Sequence, residues 1–187
     1  MPSMKPPAAS VRLHVEGGPW PDVSRTEVAR RVRAMLAALQ MDDVEVSILL
    51  TGDDQIRYLN RLYRRKNRPT DVLAFAQREG KGGDPSDRLL GDVVVSIPTT
   101  RRQAAAARRS TAAELTMLLA HGLLHLLGWD HETPAKDRRM RRETERLCEA
   151  AGAPARGGRG RAAGVKARTR QRLNADSSAR RTARSAR

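Results

Sequence analysis

The chain has 187 residues, a length that suits one domain with a substantial hydrophobic core. Its net charge is +15, from 36 Lys and Arg against 21 Asp and Glu. A single cysteine, Cys148, excludes an internal disulfide, and no apolar run reaches the roughly 18 residues that a membrane-spanning helix needs. Because the N-terminus also lacks the apolar core of a signal peptide, we expect a cytoplasmic protein.

The positive charge is concentrated at the C-terminus. Residues 152–187 hold ten Arg, one Lys and one Asp, a balance of +10, which leaves +5 for the rest of the chain. Because Arg, Ala, Gly and Ser bury little apolar surface, we predict that 152–187 is a disordered basic tail. Such a tail either raises solubility or attracts RNA phosphates without sequence preference. Residues 1–10 are predicted to be a flexible N-terminus and 11–151 the folded domain.

The first half of the chain alternates strands and helices. Residues 11–16 alternate apolar and polar side chains, which predicts a strand, and a capping box from Ser24 to Glu27 begins a helix that runs to about Gln40. A second strand covers 44–50. Asp53 is predicted to cap the next helix, about 54–63, whose packing face contains Ile56, Leu59 and Leu62.

The second half begins with two strands and ends with three helices. The strands are predicted at 70–77 and 90–97, separated by a loop from 78 to 88 that is long enough to be mobile. Pro98 opens a helix, a capping box from Thr111 to Glu114 begins one that runs to Leu127, and Thr133 caps the last, which ends near Ala151. The order β-α-β-α-β-β-α-α-α predicts an α/β (α+β) domain with an about four-stranded mixed sheet packed with helices.

Three of the four histidines lie within eleven residues, in the spacing H-x3-H-x2-G-x2-H. His121 and His125 are four residues apart, so a helix places both imidazoles on one face. Gly128 stands where a helix C-terminus favours left-handed backbone, and the turn there would bring His131 to the same point. Three neutral imidazoles with no fourth protein ligand are typical of a catalytic zinc site that leaves one position open.

The same spacing occurs in metzincin proteases, with one difference. Those enzymes carry Glu directly after the first His as the general base. Here that position is Gly122, which cannot accept a proton. The pattern therefore favours a metal-dependent hydrolase of another kind.

The stretch H-G-x-L-H-L-x-G-x-D-H resembles the signature of the YbeY family, bacterial metal-dependent endoribonucleases that act as ribosomal RNA maturation factors. Two further blocks resemble that family: L-N-x-x-Y-R at 59–64 followed by P-T-D-V-L-A-F at 69–75, in which Ala74 replaces the usual Ser, and L-G-D-V at 90–93. The resemblance covers about residues 11–150. The last 36 residues lie outside it.

The resemblance implies a single-strand-specific endoribonuclease that matures the 3′ end of small-subunit ribosomal RNA in ribosome biogenesis. It implies a metallo-endoribonuclease domain at 11–151 with a central metal-binding helix and one zinc ion per chain on His121, His125 and His131. The expected partners are ribosomal RNA, the small ribosomal subunit and a ribosomal or assembly-factor protein, and no membrane. Arg64 matches the family's functional arginine, with further RNA contacts expected from Lys66, Arg68, Thr70 and Asp71.

Several carboxylates have open roles in the sequence. Asp71 and Asp92 either belong to the site or bond backbone at a strand end, and for Asp92 the structural role is favoured. Asp130 is predicted to orient a ligand imidazole or a turn, with Glu132 as a weaker candidate. Two other functions also stay open: a metallohydrolase of another substrate class, including peptides, and a non-catalytic ribosome-assembly factor with a structural metal.

Overall fold

The structure is a computed structural model that describes residues 9–78 and 88–153. The sequence predictions for residues 1–8, for the loop segment 79–87 and for 154–187 lie outside the described residues.

Four strands form one mixed sheet, as predicted. Strands β1 (Ser10–Val15), β2 (Glu45–Thr51), β3 (Val72–Ala76) and β4 (Leu89–Ser96) stand in the order β1-β2-β4-β3. Neighbouring strands β1, β2 and β4 are parallel, and β3 pairs antiparallel with β4. The strand predicted at 70–77 is shorter in the structure, since β3 begins at Val72, after Thr70 and Asp71.

Five helices complete the described part of the chain, in the predicted order. They are α1 (Arg25–Ala38), α2 (Asp53–Arg64), α3 (Ile97–Ala106), α4 (Thr111–Leu126) and α5 (Pro134–Ala150). None of these helices combines the length and apolar composition needed to cross a membrane.

Helix α4 is the centre of the core. It contacts β3 and β4 of the sheet and also α1, α3 and α5. Eleven of its sixteen residues are buried, because its leucines and alanines face both the sheet and the neighbouring helices. The sequence prediction of a central helix is confirmed.

The contact between α4 and the sheet depends on Gly122. A Cβ atom at this position would lie 2.6 Å from Cγ1 of Val93 and 3.4 Å from Cγ2 of Val72. The position after the first histidine thus faces the sheet at a separation that admits no side chain without a shift of the packing. A glutamate base of the metzincin kind is excluded here by packing as well as by residue type.

Helix α2 covers part of the opposite face of the sheet. Ile56 packs there with Leu73 and Val94, and Leu59 joins this second cluster. The prediction for Leu62 is wrong, since this side chain is 57% exposed. Asn60, one turn after Ile56, is buried in its place and donates from Nδ2 to the carbonyl of Arg68 at 2.7 Å.

Two predicted caps are also wrong by one residue. Gly52 occupies the N-cap of α2, and the carboxylate of Asp53 instead accepts hydrogen bonds from Thr99 and Arg102 on α3. At α4 the N-cap is Ser110 rather than Thr111, and its hydroxyl accepts from the N–H of Ala113. In both places the residue before the predicted one has the extended backbone geometry of a cap, and only Ser110 adds a side-chain hydrogen bond.

We predict that Gly122→Ala lowers the free energy of unfolding by about 1–3 kcal/mol, since the added methyl overpacks the contact with Val93. Urea unfolding followed by far-UV circular dichroism measures the loss. The matched variants are Val93→Ala and the double variant, in which the smaller side chain makes room for the methyl. The loss in the double variant should be smaller than the sum of the single losses. Strict additivity would contradict the close approach.

Candidate metal centre

The C-terminus of α4 brings three histidines together. His121 and His125 lie one turn apart on the helix, which ends at Leu126. Gly128 then adopts φ 77°, its N–H bonds the carbonyl of His125 at 3.1 Å, and the N–H of Trp129 bonds the carbonyl of Leu124 at 3.0 Å. These two bonds form a Schellman motif, which reverses the chain so that it returns over the last turn of the helix.

A second turn holds His131 between the two helices. Asp130 accepts from the N–H of Glu132 through Oδ1 at 3.1 Å and forms an ion pair with Lys136 through Oδ2 at 2.7 Å. Thr133 caps α5 with Pro134 at its start, as predicted. Asp130 therefore shapes the turn and makes no hydrogen bond to a histidine ring, while the side chain of Glu132 is exposed.

The three imidazoles form a compact group. One ring nitrogen from each of His121, His125 and His131 lies within 4.8 Å of the other two. The Nε2 atoms of His121 and His125 are 3.2 Å apart. Two ligand nitrogens on a tetrahedral zinc ion, at about 2.0–2.1 Å from it, are separated by about 3.3 Å. The residues present therefore fit a metal ion of this kind.

Electrostatics keep this group in the form that binds metals. Burial, with the neighbouring His131, lowers the pKa of His121 to about 4. Burial, with both other imidazoles, lowers the pKa of His125 to about 3. Both rings are thus neutral at pH 7, which leaves lone pairs available for a cation. The Nδ1 of His131 is buried without a hydrogen-bond partner among the described residues.

Arg64 stands beside this group at the C-terminus of α2. It is partly buried, and its charge is one of the influences that lower the pKa of His125, after burial and the two imidazoles. Burial lowers the pKa of the Arg64 guanidinium itself, while the charge of Asp71 opposes that shift. No carboxylate of the described residues lies within ion-pair distance of Arg64. The structure thus brings an uncommitted cation to the histidines.

The loop after Arg64 is held by Asn60. Arg65 adopts a left-handed φ of 56°, the N–H of Lys66 bonds the carbonyl of Asn60, and the Asn60 side chain bonds the carbonyl of Arg68. Lys66 and Arg68 are exposed at this loop. Sequence reasoning missed Asn60, although its place in the L-N-x-x-Y-R block marks it as a buried polar residue in an otherwise charged helix.

The remaining predicted site residues separate into two groups. The hydroxyl of Thr70 donates to Asp71, whose side chain is buried. Asp92 lies on the face of the sheet opposite to α4. There it accepts a hydrogen bond from Gln77 at 3.4 Å and lines, with His14 and Tyr63, a cavity of about 390 Å³. Asp92 is therefore not part of the histidine group.

The comparisons with known proteins agree with one another. A family model described as Endoribonuclease YbeY matches residues 21–152. An Endoribonuclease YbeY of Anaeromyxobacter sp. is 54% identical over 128 residues, which are 66% of this chain and 65% of the relative. That of Anaeromyxobacter dehalogenans is 48% identical over 136 residues, 71% and 68% of the two chains, and that of Aquifex aeolicus is 41% identical over 123 residues, 66% and 80%.

Among solved structures, a solution structure of a Thermotoga maritima protein is 22% identical and has a TM-score of 0.49, over 80% of this chain and 99% of that one. The match to the Anaeromyxobacter sp. relative spans slightly less than two thirds of that relative's length. The family model covers well over half of the 187 residues and includes every residue of the histidine group. The chain belongs to the endoribonuclease YbeY family.

Proposed function

We propose that this chain is a zinc-dependent endoribonuclease that hydrolyses phosphodiester bonds of single-stranded RNA during ribosomal RNA processing. The observation that carries the proposal is the group of three ring nitrogens within 4.8 Å of one another beside the partly buried, uncommitted Arg64. The similar proteins of Anaeromyxobacter and Aquifex aeolicus are endoribonucleases by name, which supports RNA as the substrate.

His121, His125 and His131 would hold the ion in this proposal. Three neutral imidazoles without a protein carboxylate favour zinc among the divalent ions and leave a position free. The chemistry that such an ion supplies when bound is the activation of water near neutral pH and the withdrawal of charge from a phosphoryl oxygen.

Arg64 would bind the phosphate next to the scissile bond. A guanidinium presents a planar pair of donors that matches two phosphate oxygens, and its charge offsets the negative charge that grows there as the bond breaks. Partial burial strengthens this interaction because less water screens it. Exposed Lys66 and Arg68, held on the Asn60 loop, would attract neighbouring phosphates.

Peptide hydrolysis is less well supported by the same geometry. The position of the metzincin base is Gly122, which faces the sheet with no room for a side chain. Asp130, the carboxylate directly before His131, is engaged by Lys136 and the turn. A non-catalytic assembly factor remains the competing function, since a ribosome partner requires no open ligand position.

The proposed setting is small-subunit ribosomal RNA 3′-end maturation in the cytoplasm, with the small subunit and a ribosomal or assembly-factor protein as partners. The deciding experiment incubates the zinc-loaded chain with a small-subunit RNA carrying an unprocessed 3′ extension and, separately, with casein. We expect cleavage of the RNA alone. Casein cleavage would establish the peptidase alternative, and stable RNA binding without cleavage would establish the assembly factor.

We predict that His125→Ala removes most of the bound zinc, since His125 supplies one of three ligands from the centre of the group. Elemental analysis of purified protein should find about one zinc per wild-type chain. The matched control is His14→Ala, which deletes the exposed histidine on β1. A full zinc load in folded His125→Ala would show that the ligands are wrongly assigned.

We predict that Arg64→Ala lowers kcat by about 10²–10³-fold with a smaller change in KM, by analogy with the loss of an oxyanion donor. Arg64→Lys should recover little, because a single ammonium does not reproduce the planar grip. Single-turnover cleavage of the RNA measures both variants.

The controls for Arg64 come from the same loop. Arg68→Ala should act mainly on KM and on the salt dependence, since its exposed charge meets RNA before cleavage. Arg65→Ala removes the adjacent charge and should have a small effect. Equal, mild losses of activity in Arg64→Ala, Arg65→Ala and Arg68→Ala would show that these residues act only through their positive charge.

We predict that removal of residues 154–187 weakens RNA binding and flattens its salt dependence. A chain with fewer arginines neutralises fewer phosphates and so releases fewer counterions on binding. The residues just before this segment are held by the folded domain, since Ala151 is buried and the N–H of Ala153 bonds the carbonyl of Cys148. The melting temperature should therefore change little. A large loss of thermal stability in a melting curve would show that the segment packs on the body.

A further inference from the structure

Asp71 lies in the interior of the domain rather than on its surface. Its exposed fraction is 2%, which leaves almost no surface for contact with a substrate. The next residue, Val72, packs against α4 at Gly122, directly after His121, with its Cγ2 3.4 Å from where a Cβ would stand. Asp71 is thus a buried residue whose chain neighbour packs against the part of α4 that carries His121.

Among the described residues, the side chain of Asp71 accepts three hydrogen bonds and donates none. Oδ1 accepts from the N–H of Val72 at 2.8 Å and from the hydroxyl of Thr70 at 3.0 Å, and Oδ2 accepts from Nε2 of Gln103 at 3.0 Å. An ionised carboxylate only accepts, whereas a protonated one must donate through one oxygen. All three donors are neutral, so they solvate the charge without cancelling it.

No cation of the described residues forms an ion pair with Asp71. The contrast is Glu114 on α4, equally buried, which has Arg109 at 3.3 Å. A buried carboxylate without a cation costs several kcal/mol unless a positive charge lies nearby. The positive charge on which Asp71 acts is that of Arg64, and its charge also acts on His121, one of three imidazoles whose ring nitrogens lie within 4.8 Å of one another.

We propose that Asp71 is a positioning residue that supplies the buried counter-charge for the cation held by His121, His125 and His131, without itself being a ligand. Three imidazoles leave the full charge of a divalent ion uncompensated in a poorly solvated site. One fixed negative charge in the next layer of residues lowers the electrostatic cost of placing the ion there. This inference rests on the proposed metal-dependent function.

The electrostatics of the neighbouring groups agree with this placement. Burial lowers the pKa of His121 and of Arg64, and in both cases the charge of Asp71 acts in the opposite direction. The field of this carboxylate therefore reaches both the histidine group and the arginine. Outer-layer carboxylates of this kind typically change metal affinity by about 10–100-fold.

The test is the zinc affinity of the full chain, measured by competition with a chromophoric chelator. Asp71→Asn removes the charge and keeps the shape. Its Oδ1 still accepts from Val72 and Thr70, and its Nδ2 meets Oε1 of Gln103 after a flip of that amide, since Oε1 is buried without a partner. The matched control is Asp92→Asn, the same change on the far side of the sheet.

We expect zinc affinity to fall about 10–100-fold in Asp71→Asn and to stay within about twofold of wild type in Asp92→Asn. The melting temperature of the metal-free protein should change little, because the amide keeps the hydrogen bonds and Asp71 has no ion-pair partner among the described residues to lose. Wild-type zinc affinity in Asp71→Asn overturns the inference while leaving the metal site in place. A wild-type chain that binds no zinc overturns the proposed function instead.

A charge exchange separates electrostatics from local structure. In the double variant Asp71→Asn with Gln103→Glu, the carboxylate and the amide trade places across the 3.0 Å hydrogen bond. If the charge is what matters, the double variant recovers most of the lost zinc affinity. A folded double variant with no recovery would make Asp71 a purely structural residue and overturn the inference.

Discussion

The close approach of α4 to the sheet at Gly122 is the constraint on which the rest of the site depends. With Val93 at 2.6 Å from a Cβ position, the helix lies directly on β3 and β4. Together with α1, α3 and α5, the sheet buries eleven of the sixteen residues of α4, among them His125 at 1% exposure. A buried imidazole resists protonation, so the packing that forms the core also prepares the ligands. The absence of a side chain at position 122 is thus a requirement of the fold and, at the same time, removes the base of a peptidase.

The remaining parts of the site come from segments that approach α4 from three directions. The Schellman turn at Gly128 and the Asp130 turn return the chain so that His131 completes the group. Helix α2 presents Arg64 from the opposite layer, and Asn60 fastens the loop that follows. The residue before β3, Asp71, is buried and accepts a hydrogen bond from Gln103 of α3. Neutral ligands, a cation and a buried anion thus meet around one point, an arrangement that suits a divalent ion and a phosphate.

The sequence predicted the features that depend on local spacing. The order of nine elements, the mixed four-stranded sheet and the turn at Gly128 follow from periodicity, capping residues and the tolerance of glycine for positive φ, and the family resemblance added that α4 is central. The convergence of His121, His125 and His131 also belongs here, since two lie on one helical face and the third follows a short turn. The local errors are at Asp53 and Thr111, where the cap lies one residue earlier, and at Leu62, which is exposed while Asn60 is buried.

By itself, then, the sequence determined which histidines meet, which helix carries them and where a basic loop follows Arg64. Only the tertiary structure decided that Gly122 faces the sheet, that Asn60 is the buried anchor of the loop, and that Asp71 lies in the interior with Gln103 as a donor. These features depend on contacts between segments far apart in the chain, such as the 32 residues that separate Asp71 from Gln103. No periodicity records such a contact, because the energy of a buried charge is set by what surrounds it in space and not by its neighbours in sequence.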